Sequence, residues 1–302
     1  MKQRFITGML IALIGLPLVL IPEIFIVFEL VVLAGLVIAI VELYNMFKTR
    51  KTQPKWNLIV NIIFGILLYL SLIDLWGKGN ETLGKLINLS FGFFPIILMA
   101  YTIVIMMGSV FDKNIDSQDT SNNFLVTNYV VLGLASFMLL RLEGVRYIVY
   151  LMLVVMSTDI FAYLFGMKFG KHKMAPAISP KKSWEGAIGG TVCATILGTL
   201  FGSLYGTIFN DALNPTILDK LVNMGDTHMV VKVLIIVVLS FFGSICGQIG
   251  DLVASKLKRH YGIKDYSQIF PGHGGVLDRF DSIIFTSIIL VVLFSMIKIF
   301  LV

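Results

Sequence analysis

Five acidic residues in the second half of this 302-residue chain stand inside or at the ends of apolar runs: Asp159, Glu185, Asp251, Asp278 and Asp281. A carboxylate at membrane depth is costly, so by default it marks a functional site. Asp251 follows a solid apolar run, and Ser255 and Lys258, four and seven positions on, share one helical face with it. The chain then turns dense in charge through Lys256, Lys258, Arg259, His260, Lys264 and Asp265. It continues as Pro271-Gly272-His273-Gly274-Gly275 and Asp278-Arg279-Phe280-Asp281. Glycines around His273 let backbone N–H groups approach an anion, and the loop runs into a helix N-terminus, a natural phosphate site. Carboxylates with Lys and Arg around a glycine loop suit a phosphate ligand carrying a hard divalent metal. The competing reading is a plain solvated charge run.

A second cluster reads Ser179-Pro180-Lys181-Lys182-Ser183-Trp184-Glu185. Two lysines follow a proline turn and precede a helix that Ser183 can cap. The ammonium groups and the helix dipole together attract a phosphate at a membrane surface, beside an interfacial Trp. Alone, such a cluster is more often a topology signal or headgroup anchor. On the same face of the membrane as the first cluster, it becomes a candidate substrate site.

The elements that must position these residues are set by composition. The chain is 57% hydrophobic and only 14% charged, against about 25% charged in a soluble domain. A soluble enzyme and a disordered chain are excluded, and runs of about 20 apolar residues exclude an outer-membrane barrel. Nine such runs are predicted, at 5–21, 24–47, 57–76, 88–111, 124–140, 145–166, 184–208, 229–253 and 281–302. The fold class is therefore an all-α integral membrane protein, a polytopic bundle of about nine helices. Most Lys and Arg fall in loops on the N-terminal side, which puts the N-terminus and both clusters in the cytoplasm. This distribution also explains the net charge of +6 without nucleic acid. Two regions are expected: 1–145 as a scaffold with room for dimer contacts, and 146–302 as the catalytic part. Glycines at 198, 202 and 206, and at 243 and 247, have the spacing of close helix packing. The two cysteines, Cys193 and Cys246, lie in apolar segments and read as packing residues.

The stretch 255–281 resembles the signature of phosphatidate cytidylyltransferases, also called CDP-diacylglycerol synthases. It has Ser255-x-apolar-Lys258-Arg259, four residues, Lys264-Asp265, then a small and an apolar residue before Pro271. After one residue come His273-Gly274-Gly275, an apolar position, one further residue, and Asp278-Arg279-x-Asp281. Every fixed position is met. The segment Ser179–Gly186 and Asp159 are similar to the family too, so the resemblance covers roughly 150–302, and the first half shares only the hydrophobic plan. The Asp-Gly-x-x-Ala-Arg pattern of CDP-alcohol phosphotransferases is absent.

The resemblance implies CTP and phosphatidate as substrates, CDP-diacylglycerol and pyrophosphate as products, and Mg²⁺ as cofactor. It implies a multi-pass protein in a membrane, with a bacterial plasma membrane expected and the site on the cytoplasmic face. Asp251 and Asp278, with Asp159, are the expected metal ligands. Lys258, Arg259, His273, Arg279 and Asp281 complete the expected catalytic set. Ser179, Lys181, Lys182, Ser183, Glu185, Ser255, Lys264, Asp265, Gly274 and Gly275 are the expected substrate-binding residues. A second metal and a homodimer are left open. So are three other readings: a CTP-dependent enzyme for another lipid phosphate, a CTP-using lipid-alcohol kinase, and a transporter.

Overall fold

A computed structural model of the chain describes residues 9, 13–75, 82–83, 89–211, 213–221 and 228–300. Among them, eight helices are long and apolar enough to cross a bilayer. They correspond to the eight predicted runs from 24–47 onward. The run at 5–21 lies mostly outside the described residues, of which 13–20 are helical. Helices are the expected answer, because hydrocarbon offers backbone groups no partner and a helix satisfies them internally.

The helices are α1 (Phe25–Lys48), α2 (Lys55–Ile73), α3 (Phe94–Phe111), α4 (Ser117–Leu125), α5 (Leu132–Glu143) and α6 (Val145–Phe169). A hairpin, β1 (Lys173–Ala175) with β2 (Ser179–Ser183), precedes α7 (Trp184–Ser203) and the short α8 (Tyr205–Phe209). Helices α9 (Met229–His260) and α10 (Leu277–Phe300) complete the chain. The 32 residues of α9 extend about 48 Å at ~1.5 Å per residue, well beyond a ~30 Å hydrocarbon core. One end of this helix must therefore stand in water, and the basic run Lys256–His260 supplies such an end. The chain divides into two compact units, residues up to Leu142 with Leu257–Phe280, and Glu143–Lys256 with the segment from Asp281.

In the first unit, α4 and α5 form one span through a π-helical turn at Val126–Val131. Asp116 and Asp119 cap its start reciprocally, and Lys51 bridges both carboxylates at 2.9 and 2.8 Å. This cation and the Asp119 amide pull the Asp116 carboxyl down to about 2. Deeper in, Asn61 donates to Asn123 Oδ1 at 2.8 Å, and the Tyr101 hydroxyl donates to Asn61 Oδ1 at 2.8 Å. Such side-chain bonds hold helices together where lipid and core are equally apolar.

In the second unit, α6 packs on α7 with backbone against backbone. A Cβ on Gly190 would stand 2.7 Å from the Thr158 carbonyl oxygen, too close for any side chain. Side-chain hydrogen bonds then tie the bundle: Tyr150 with Ser240 at 2.7 Å, Thr158 donating to Ser244 at 2.7 Å, and the Gln248 amide donating to the Thr191 hydroxyl at 2.8 Å. The predicted run 184–208 is corrected here, because α7 ends at Ser203 and α8 starts after Leu204. The Gly206 amide donates to Pro215 O at 2.9 Å, and Gly202 O accepts from Ile217 at 2.8 Å. The returning segment has taken both partners of the helical bond that would have continued α7. Gly206 therefore does not extend the packing stripe of Gly198 and Gly202.

Candidate active site

The second unit carries one cluster. Lys182 Nζ lies 2.5 Å from Asp251 Oδ2, with both side chains partly open. Ser255, one turn further along α9, donates to Asp251 Oδ1 at 3.3 Å, so the shared face expected from their spacing is present. Asp159 on α6 lies within electrostatic reach of Asp251 and Lys182. Ser183 caps α7 by accepting from the Gly186 amide at 3.2 Å.

Glu185 is turned to another task. It accepts from the Lys171 and His172 amides at 3.1–3.2 Å and pairs with the His172 ring at 2.6 Å. It therefore fastens the hairpin to the start of α7. Ser179 pairs across the hairpin with Ala175, and Lys181 is exposed. Asp281, near the start of α10, accepts from the Ser282 amide at 2.8 Å.

The first unit carries the other cluster, wrapped around Asp278. Lys258 Nζ donates to Asp278 Oδ1 at 2.6 Å, and the amides of Tyr266 and Gly275 donate to Oδ2 at 2.8 and 2.9 Å. One buried carboxylate thus ties the end of α9, the middle of the loop and the start of α10 into a closed ring. Lys258 also lies 5.1 Å from the Tyr266 ring centroid.

Gly274 makes this geometry accessible. Its φ is +85°, and an added Cβ would stand 2.7 Å from Asp278 Oδ2. Paired backbone bonds between Phe270 and Gly274, at 2.9 and 3.1 Å, close the turn that carries His273. His273 Nδ1 is buried and has no hydrogen-bond partner among the described residues. Arg259, Lys264, Asp265 and Arg279 are exposed.

One expectation changes. The N-terminus of α10, expected to be a phosphate site, has its first two amides already used. Val276 N donates to Glu42 Oε1 and Leu277 N to Glu42 Oε2, each at 2.9 Å. An anion from α1 occupies the position a phosphate would take, and Gly275 N is given to Asp278. Glu42 was missed from sequence, although a signal existed: it is a carboxylate inside an apolar run, and it is 2% exposed.

Among the described residues, no three His, Cys, Asp or Glu side chains form a ready-made metal cage. Mg²⁺ does not demand one, since it is commonly held by one or two carboxylates together with substrate phosphates and water. A carboxylate offers about four lone-pair sites. Asp251 spends only one on a strong partner, and Asp278 spends three. Asp251 with Asp159 in its field fits a hard divalent cation well, and Asp278 retains one site on Oδ1.

The model of the cytidylyltransferase family matches residues 2–297. A phosphatidate cytidylyltransferase of Staphylococcus epidermidis is 35% identical over 292 residues, covering 94% of this chain and 95% of that one. One from Staphylococcus haemolyticus is 37% identical over 286 residues, with 94% and 95% coverage. Another, from Staphylococcus aureus, is 37% identical over 189 residues, or 62% and 64% of the two chains. The match extends through α1–α5 as well as the signature, and on that full-length similarity the chain belongs to the cytidylyltransferase family.

Proposed function

We propose that this membrane protein transfers the cytidylyl group of CTP to phosphatidate, giving CDP-diacylglycerol and pyrophosphate. The observation that carries this reading is the unbroken signature over 255–281, in a chain similar over 94% of its length to phosphatidate cytidylyltransferases. A phosphatidate oxygen attacks the α-phosphorus of CTP, a P–O bond forms there, and the bond to the β-phosphate oxygen breaks. The attacking monoester has a second pKa of about 6 and is largely ionised at pH 7, so no strong general base is required. The work of the site is positioning and charge neutralisation.

We assign Arg259, Lys264 and Arg279 to the triphosphate and Lys181, beside Trp184, to the lipid headgroup. In the second unit Asp251, with Asp159 near it, would hold Mg²⁺, and in the first unit Asp278 would offer a carboxylate oxygen to a metal of its own. When bound, the ion neutralises charge on the phosphates and orients them. His273, in the same loop, is assigned to hydrogen-bond a phosphate.

The deciding experiment incubates the purified protein in detergent with CTP, phosphatidate and Mg²⁺. Formation of pyrophosphate and a CDP-lipid is expected, whereas release of CDP would identify a kinase and overturn the reading.

The same assignment separates the two basic groups kinetically. Loss of one charge-assisted contact to phosphate is worth ~1.5–3 kcal/mol, about ten-fold or more in binding. Lys181→Ala should raise the KM for phosphatidate by about that factor and leave the KM for CTP alone. Arg279→Ala should do the reverse. Initial rates titrated in each substrate in mixed micelles measure both, and equal effects on both substrates would contradict the division.

Orientation is a second expectation, since CTP is cytoplasmic and so must be the loops around Lys181 and Lys264. In a variant lacking Cys193 and Cys246, single cysteines at 181 and 264 should escape an impermeant maleimide added outside intact cells. Labelling of either would reverse the topology.

A further inference from the structure

Glu42 stands in α1, more than 200 residues from the signature, and among the described residues every acceptor bond it makes goes to that signature. Besides the two amides at the start of α10, it accepts from the Ser267 hydroxyl at 2.6 Å. The first amides of any helix lack partners within it, and a carboxylate placed there both satisfies them and meets the positive end of the helix dipole. Oε1 takes Ser267 and Val276, and Oε2 takes Leu277, a pattern that needs two acceptor oxygens and no donor.

Gly275 lies against this carboxylate, and a Cβ there would collide with Glu42 Oε1 and stand 2.7 Å from Ser267 Oγ. On its other side Gly275 gives its amide to Asp278. Glu42 and Asp278 thus grip consecutive residues, Gly275, Val276 and Leu277, from opposite ends of a three-residue segment. Arg279, two residues further on, and His273, two residues before, take their positions from that segment.

We propose that Glu42 is a positioning residue for nucleotide use: it sets the register of the His273–Arg279 segment against CTP without touching the substrate. The proposal rests on the CTP reading given above. It predicts a selective kinetic defect, because Glu42 orders the loop assigned to the triphosphate and not the hairpin assigned to the lipid. In Glu42→Gln, one oxygen becomes an amide whose N–H groups face an N–H donor, so the grip on one of the two helix amides is lost. The expected result is a rise of about ten-fold in the KM for CTP with the KM for phosphatidate unchanged.

Ser267→Ala removes only the hydroxyl bond. It should raise the KM for CTP by about three-fold in the wild-type background and have little effect in Glu42→Gln, the non-additivity expected of groups acting through one another. Hydrogen exchange in detergent provides a readout independent of turnover: amides 275–277 should lose protection in Glu42→Gln. A purely structural role would instead reduce kcat per milligram through a smaller folded fraction and leave both KM values as they are. That outcome, or fully additive effects of the two substitutions, would overturn the proposal. Should Glu42→Gln fail to fold, the CTP-selective shift in Ser267→Ala alone remains decisive. Absence of CDP-lipid from the wild-type protein would instead refute the functional reading, which the same assay reports separately.

Discussion

Asp251→Asn is expected to lower kcat by about 100-fold or more, the scale for removing one preorganised electrostatic contact, with the protein still folded. The side chain keeps its size, and Ser255 can still donate to the remaining oxygen of the amide. What disappears is the negative charge that Lys182 answers at 2.5 Å, together with the charge we assign to Mg²⁺. A neutral amide is a far weaker ligand for a hard cation than a carboxylate.

The stability side of the ledger is small. Breaking a fully buried ion pair costs ~3–5 kcal/mol, but Lys182 and Asp251 are 27% and 29% exposed. The released ammonium can turn to water, so the cost moves toward the ~0–1 kcal/mol of surface pairs. Pyrophosphate release measured across a Mg²⁺ titration should show both the drop in kcat and a higher Mg²⁺ requirement. Thermal unfolding in the same detergent should shift by only a few degrees. Wild-type rates at every Mg²⁺ concentration would remove Asp251 from the metal site.

The two clusters were legible to different degrees, and the difference is physical. Local chemistry was readable: Ser183 caps α7 through Gly186, and Asp251 meets Ser255 one turn away, because both depend on spacing along one chain segment. Spans were readable for the same reason, since the bilayer imposes one length and one composition on each. Events that depend on a distant partner were not. The end of α7 at Ser203 is decided by Pro215 and Ile217, which capture Gly206 and Gly202. The hairpin Lys173–Ser183 has strands of three and five residues, with a proline and two lysines in the second, and no alternation to betray it. Glu185 resembles a ligand in the sequence and turns out to accept from the backbone amides of Lys171 and His172, just ahead of the hairpin. Glu42 is the instructive case. Its partners are 225–235 residues away, and only the cost of a lone carboxylate in an apolar helix hints that such partners exist.

The second large effect falls at Asp278, where charge and loop architecture rest on one carboxylate. Asp278→Asn should abolish more than about 99% of turnover and, unlike Asp251→Asn, should also loosen the segment 261–276. Asp278 is 4% exposed at the side chain and Lys258 10%, so the ammonium left behind cannot simply hydrate. Removing one partner of such a pair costs ~3–5 kcal/mol. The substituting amide also has only one acceptor oxygen for three donors, which leaves either Lys258 or both the Tyr266 and Gly275 amides facing an N–H group.

Hydrogen exchange over 261–276 in detergent should therefore rise in Asp278→Asn and remain near wild type in Asp251→Asn. Adding Lys258→Met to Asp278→Asn deletes the stranded ammonium. Replacing both members of a buried pair is far milder than removing one, so protection of the segment should recover in part, while activity should not. Recovery of protection without turnover would separate the two duties of Asp278, holding the loop and supplying negative charge to the reaction. Full protection together with full activity in Asp278→Asn would show that the ring around this carboxylate does neither.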